Sequence, residues 1–277
     1  MKALLVLLLF SGCISVPARS QTIPHFKKVV YIVFENENYA PVIRQADFAK
    51  YAALGANFTQ FLAETHPSQG NYVSMIAGST LGIMTDRNYD LSQQHIGDQL
   101  EAHGMDWKNY AEAYPGNCFT GAESGNYARK HIPFMSFLNV SRNPERCSKI
   151  VNAESFMNDF KNGTLPEFSI YTPDLQNDGH DTSIDFAGNW LTKNFGEILS
   201  HPENMNDVLF VLTYDESDPR SKRNQIYTVI LGANILKGEY NQQLNHVALL
   251  KMVQDEFGLG NLGRLDAAAP VIEGIWK

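Results

Sequence analysis

Two near-continuous apolar segments, each closed by a sudden cluster of acids, constrain the fold more than anything else in this chain. Lys28-Val-Val-Tyr-Ile-Val-Phe34 is rich in β-branched and aromatic residues and runs straight into Glu35-Asn36-Glu37-Asn38. Asp207 to Tyr214 (DVLFVLTY) has the same character and ends in Asp215-Glu216-Ser217-Asp218. A strand solvated on one face alternates apolar with polar residues, so a run without alternation reads as a strand buried on both faces, as in a parallel sheet. Glu167 to Thr172 (EFSIYT) closes on Pro173-Asp174 in the same way, and Ile226 to Leu231 reads as a further strand leading to Gly232.

Helical spacing appears between these runs, over Asn71 to Ala77, Ile96 to His103, Asn189 to Ser200 and Val247 to Phe257. The third carries Trp190, Leu191, Phe195, Ile198 and Leu199 on one face. Strands alternating with helices imply an α/β fold, with helices on both faces of a mostly parallel sheet. The stretch from Asp106 to Asn152 is richer in Gly, Asn and aromatic residues and reads as a long insertion. Neither an internal repeat nor a linker interrupts the chain, so residues 21–277 read as one domain, long enough to bury a sizeable core.

The first twenty residues read as a secretory signal peptide. A charged start at Met1-Lys2 precedes an apolar run from Ala3 to Phe10 and small residues at Ser11, Gly12 and Cys13. The run is too short to span a bilayer, and no later apolar segment is long enough to do so. LLFSGC is similar to a lipoprotein cleavage box with Cys13 as the lipidated residue, although Phe10 departs from the usual Leu. Residues 18–21 offer ordinary cleavage sites, so a lipoprotein and a soluble periplasmic or secreted product both fit. Export permits a disulfide between the remaining Cys118 and Cys147, and two unpaired thiols fit equally. The formal net charge of −8 argues against a nucleic-acid partner. It leaves a small anionic substrate open, because a bound metal or a few local cations override the global field.

In open α/β sheets ligands bind beyond the carboxyl ends of the strands. Glu35-Asn36, Asp174 with Asp178, and Asp215-Glu216 are expected to converge there, and their oxygens suit a hard divalent cation. Taken singly, each acid is as well explained as a loop start or helix cap. Repetition after three strands favours the shared site. The segment Glu64-Thr-His-Pro-Ser-Gln-Gly-Asn71 leads into a helix, placing Ser68 near an N-terminus that attracts anions. A hydroxyl there can attack phosphorus when a metal lowers its pKa, and Asn71, one turn on, can donate to a phosphoryl oxygen. Read alone, Ser68 is an N-cap. His180, in Asn177-Asp-Gly-His-Asp181, reads either as a metal or phosphate ligand or as an exposed loop histidine. His66, His131 and His246 are equally open, while His25, His95, His103 and His201 have surface-like contexts.

Taken together, VVYIVFENENY, the HPSQGNY…AGST run, KHIPF, TPDLQNDGHD, VLTYDESD and the NHVALLKMVQDEFGL tail extend over nearly the whole mature chain. In that order they resemble the phosphoesterase family of bacterial acid phosphatases and phospholipases C, a branch of the alkaline-phosphatase superfamily. The resemblance implies a three-layer α/β/α sandwich with one or two divalent metal ions at the strand ends. It assigns metal ligation to Glu35, Asn36, Asp215 and Glu216, the last standing where acid phosphatases often carry a second Asp. Ser68 becomes the nucleophile and Asn71 a phosphate contact. His66, Asp178, His180 and His246 fall near the phosphate or a second metal, with Asp174 as the alternative to Asp178, and His131 lies in the matching KHIPF segment, in a substrate-binding position.

The reaction so implied passes through a phosphoserine, with His180 or His246 supplying the leaving alcohol's proton. A phosphomonoesterase leads, and a phospholipase C-type phosphodiesterase, generally a longer protein, is the close alternative. A secreted binding protein on the same scaffold is a third expectation. A sulfatase or phosphonate hydrolase is disfavoured, because HPSQGN lacks the Arg of the sulfatase motif.

Overall fold

The computed structural model describes residues 25–277 apart from residue 206, so the signal segment and Cys13 lie outside the described residues. Eight strands form one sheet: β1 (Lys28–Phe34), β2 (Ala56–Phe58), β3 (Trp107–Ala111), β4 (Ile150–Asn152), β5 (Phe168–Thr172), β6 (Val208–Tyr214), β7 (Thr228–Leu231) and β8 (Gly238–Tyr240). Their order across the sheet is β8-β2-β7-β6-β1-β5-β3-β4. Only β7 runs against the others, antiparallel to both β6 and β2, while the remaining pairings are parallel. The apolar runs around residues 28–34, 167–172 and 207–214 therefore occupy the middle of the sheet, as their lack of alternation requires.

Five helices matter for the site: α1 (Ala46–Leu54), α2 (Gln69–Ala77), α3 (Ile96–Ala102), α4 (Ile184–Leu199) and α5 (His246–Phe257). Alternation along the strands divides them between two faces. Tyr31 points to one side, where its hydroxyl donates to Leu249 O of α5 (3.0 Å). Phe34, three residues on, points to the other and packs edge-on against Phe48 of α1 and Trp190 of α4. Helices α2 and α5 pack together on the first face, and α1 and α4 on the second. The result is a three-layer α/β/α sandwich. Burying a ring such as Phe34 contributes about 2–3 kcal/mol, so the middle strands hold much of the stability.

Two details depart from the sequence reading, and the Cys118–Cys147 bridge is one of the two alternatives it left open. The stretch from Asp106 to Asn152 is no simple insertion, because it supplies β3 and β4 at one end of the sheet. Cys118 and Cys147 within it are bonded, with Cα atoms 5.6 Å apart. His95 is fully buried rather than surface-like; its Nδ1 accepts Gly97 N (3.0 Å) and caps α3. No helix among the described residues is long and apolar enough to cross a membrane.

Candidate active site

The sheet register assembles the site. Phe34 of β1 lies opposite Tyr214 of β6, and Asp215 N donates to Phe34 O (2.9 Å), so the residues that follow leave the sheet side by side. On the other flank Glu35 N donates to Asp178 O (3.1 Å), which draws the loop after β5 against β1. Asn36 adopts φ 58°, a left-handed conformation that Asn tolerates better than most residues. The turn sets its N–H on Asp215 Oδ1 (3.2 Å) and its amide over the acids. Four carboxylates, Glu35, Asp178, Asp215 and Glu216, thus lie buried together at the carboxyl edge.

Ser68 reaches this cluster from α2. It precedes the helix in helical geometry (φ −45°, ψ −52°), and its hydroxyl makes no cap hydrogen bond. Asp86 does that work instead, its Oδ1 accepting Gln69 N (3.0 Å). Ser68 Oγ lies 3.0 Å from Glu35 Oε2, 3.1 Å from Glu216 Oε1 and 3.3 Å from Asn36 Oδ1. One hydroxyl proton cannot satisfy three acceptors. With its amide nitrogen turned toward the acids, Asn36 donates to Glu35 Oε2 (3.3 Å) and Glu216 Oε1 (3.0 Å).

The electrostatics agree with that shortage. Burial, then the charges of Asp215 and Asp178, push Glu35 well above the usual carboxylate range. Burial raises Asp178 to about 7 and Glu216 to about 7. Asp215 also rises to about 7, through burial and then its neighbour Glu216. Asp215 Oδ2, Asp178 Oδ2, His131 Nε2 and His66 Nε2 are buried without a hydrogen-bond partner. Orphaned atoms on acids and imidazoles around one hydroxyl fit a divalent metal better than a folding core. Glu35, His131 and Asp178 also bring three ligand atoms within 4.8 Å of one another, so the cluster offers an all-oxygen group and a mixed N/O group.

Other side chains hold these in place. Tyr72, one helical turn beyond Ser68, donates its hydroxyl to Glu35 Oε1 (2.6 Å) and stacks on His131 with centroids 5.1 Å apart. His131 Nε2 lies 3.2 Å from Glu35 Oε1 and its Nδ1 3.5 Å from Asp178 Oδ2, close enough for charge interaction but not in hydrogen-bonding geometry, and burial holds its pKa well below normal. His66 Nδ1 pairs with Glu216 Oε2. His180 stands at the rim, its Nδ1 on Asp181 Oδ1 (2.7 Å), its ring 6.4 Å from that of His131. Lys130 pairs with Asp86 Oδ2 (3.1 Å) close by.

Three residues expected at the site have other partners. The Asn71 amide is spent on the loop before Ser68, accepting Glu64 N and Thr65 N (each 3.0 Å) and donating to Thr65 O (2.9 Å). That loop lies tight against α2: a Cβ on Gly70 would come within 2.6 Å of Thr65 Cγ2. His246 has both ring nitrogens engaged, with Glu64 Oε2 (2.6 Å) and Tyr214 O (2.9 Å). Burial lowers its pKa, but Glu64 and the Tyr214 carbonyl more than offset this and raise it overall. Asp174 Oδ1 accepts Gln176 N and Asn177 N, and its Oδ2 accepts from Asn126, so it shapes the loop that carries Asp178. Tyr72, Glu64, Asp86 and Lys130 were not singled out from sequence; of these only Tyr72 carried a signal, its spacing of four from Ser68.

The sheet that carries this buried acid cluster and Ser68 at its carboxyl edge has the fold seen in the alkaline-phosphatase superfamily. A protein in that superfamily from Vibrio parahaemolyticus shares the fold, with a TM-score of 0.60 at 12% identity over 89% of this chain and 71% of that one. The chain belongs to the Phosphoesterase family, whose profile matches residues 37–260. A probable acid phosphatase of Kluyveromyces lactis is 34% identical over 90% of this chain and 62% of its own length. A phosphatidylinositol-3-phosphatase of Mycobacterium tuberculosis is 34% identical over 93% of this chain and 85% of its own. The chain spans less than two thirds of the length of the fungal acid phosphatases it matches.

Proposed function

We propose that the chain is an acid phosphatase that hydrolyses phosphate monoesters through a phosphoserine at Ser68. One observation carries the reading: the Ser68 hydroxyl gives up the cap position to Asp86 and lies among buried carboxylates. The family membership and the names of the relatives support the same chemistry.

Glu35, Asn36, Asp215 and Glu216 with Ser68, and Glu35, His131 and Asp178 as a second set, would hold divalent metal, which when bound lowers the hydroxyl pKa and balances phosphoryl charge. Ser68 Oγ attacks phosphorus in line, and its one proton passes to one of the two carboxylate oxygens it already faces, Glu35 Oε2 or Glu216 Oε1. Tyr72 keeps Glu35 aimed by holding its other oxygen. His66, tied to Glu216 and 30% exposed, meets the phosphoryl oxygens at the mouth. His180, anchored through Nδ1, protonates the leaving alkoxide from Nε2. Water then displaces Ser68 from the phosphoserine by the reverse route, releasing inorganic phosphate. In this reading Asn71 and His246 brace the loop around residues 64–66, and Asp174 supports Asp178.

Action outside the cytoplasm is part of the same proposal, since a signal-like N-terminus and a Cys118–Cys147 bridge both suit an oxidising compartment. The test is Ser68→Ala, assayed with p-nitrophenyl phosphate: turnover should fall roughly 10⁴-fold or more while the protein keeps its fold and metal. Wild-type turnover in that variant sinks the assignment.

A further inference from the structure

The acids at this site outnumber the cations around them, yet the substrate proposed above is itself anionic. Among the described residues one lysine stands beside the cluster without belonging to it. Lys130 sits on the 3-10 turn Arg129–His131, immediately before the histidine that touches Glu35 and Asp178. Its Nζ is held by Asp86 Oδ2 at 3.1 Å, while Asp86 Oδ1 accepts Gln69 N, the residue after Ser68. One carboxylate therefore ties the ammonium to the first turn of the helix that presents the nucleophile. The Lys130 side chain is 19% exposed, so it is partly withdrawn from water and its contacts are screened less than those of a surface lysine. Its charge acts on Glu35 and, against the larger opposing effect of Asp86, on Glu216, the two acids that flank Ser68 Oγ.

We propose that Lys130, clamped by Asp86, is the substrate-binding residue that selects dianionic phosphate monoesters over monoanionic diesters. This inference rests on the phosphoesterase reading of Ser68 and adds the determinant of its substrate class. Near pH 7 a monoester carries close to two negative charges, whereas a diester carries one. A fixed ammonium that meets a phosphoryl oxygen rewards the additional charge, and the diester has an esterified oxygen where the monoester has an anionic one.

The experiment compares wild type, Lys130→Met and Lys130→Arg at pH 7 in two assays. The first is kcat/KM for p-nitrophenyl phosphate against bis(p-nitrophenyl) phosphate; the second is calorimetric binding of inorganic phosphate to the metal-loaded protein. Loss of a charge-assisted contact should lower monoester kcat/KM and phosphate affinity about 10- to 100-fold in Lys130→Met, with the diester changed less than about threefold. Lys130→Arg should recover most of the loss, which a mere packing defect would not allow. Equal losses on both substrates, or unchanged phosphate affinity, overturn the proposal. Wild type that binds phosphate through Lys130 but turns over neither ester would refute the phosphoesterase reading and leave the lysine's role supported. Wild type that turns over monoesters with Lys130-independent phosphate binding does the opposite.

Discussion

In chelator, the protein should lose stability as pH rises from about 4 to about 7. Asp215 carries the reasoning: it is completely buried and its pKa rises from an ordinary 3.8 to about 7, through burial and then Glu216. Between those values the folded state keeps a proton that the unfolded state has lost. Stability therefore falls with pH across this window and levels off above it. Each pH unit in the window costs about 1.4 kcal/mol, so Asp215 alone costs roughly 4 kcal/mol by pH 7. Asp178 is raised to the same level and adds less than another full share, because the acids stand in one field. For a protein of this size 4 kcal/mol corresponds to a drop in Tm of roughly 10 °C. Metal acts in the opposite direction, since its ligands must be ionised to bind and the stabilisation it confers grows with pH. The assay is a thermal melt series from pH 4.5 to 7.5, with chelator and with added divalent ions, on wild type and Asp215→Asn. Chelated Asp215→Asn should melt above chelated wild type at pH 7.5, because the amide keeps an acceptor for Asn36 N without the buried charge, and it should respond weakly to metal. If it melts at or below wild type, the four acids are not a strained, cation-seeking cluster and the metal argument fails.

Trapping is the direct companion to the Ser68→Ala assay: acid quench during turnover of a radiolabelled monoester should leave phosphate on wild type and none on the variant. Tyr72→Phe keeps the ring on His131 but removes the hydroxyl at 2.6 Å from Glu35; urea melts of the metal-loaded protein should read a loss of about 1.5–3 kcal/mol. The same change should lower kcat more than it raises KM, since Glu35 is left in place but poorly aimed, and an unchanged kcat would remove Tyr72 from the mechanism. Replacing both Cys118 and Cys147 by Ser frees a loop spanning 29 residues of sequence, which chain entropy values at about 3–4 kcal/mol in denaturant melts.

The middle of the sheet was legible because burial on both faces leaves a strand nothing polar to display: β1, β5 and β6 lie almost where their apolar runs do. The edges were not. β2 is three residues, β8 is Gly-Glu-Tyr and largely exposed, and β3 conceals Lys108 and Asn109 within WKNYA. β7 was readable as a strand, but an apolar run reads alike in both directions, so its reversal against β6 was invisible. At the site, residues that leave neighbouring strands could be grouped in advance, because register brings Glu35 beside Asp215. Roles set by contacts between distant loops could not: nothing local says that the Asn71 amide serves the backbone of Glu64 and Thr65, or that His246 is braced by Glu64.

The strongest argument about Ser68 comes from the role it does not fill. A serine at the start of a helix ordinarily turns its oxygen back to a free N–H, a contact worth about 1 kcal/mol that makes such serines common and uninformative. Here Asp86, seventeen residues downstream, takes the N–H of Gln69, and the Ser68 side chain is released to face away from its own backbone. Helical φ/ψ at Ser68 already keeps its side chain from capping, so closure of the helix by Asp86 is ordinary, but stability alone gives no reason to send the hydroxyl toward carboxylates that are already short of donors. That placement follows if the hydroxyl is the reacting group. The second oxygen of Asp86 then holds Lys130, so the substitute cap also sets a cation beside the phosphate that Ser68 would attack.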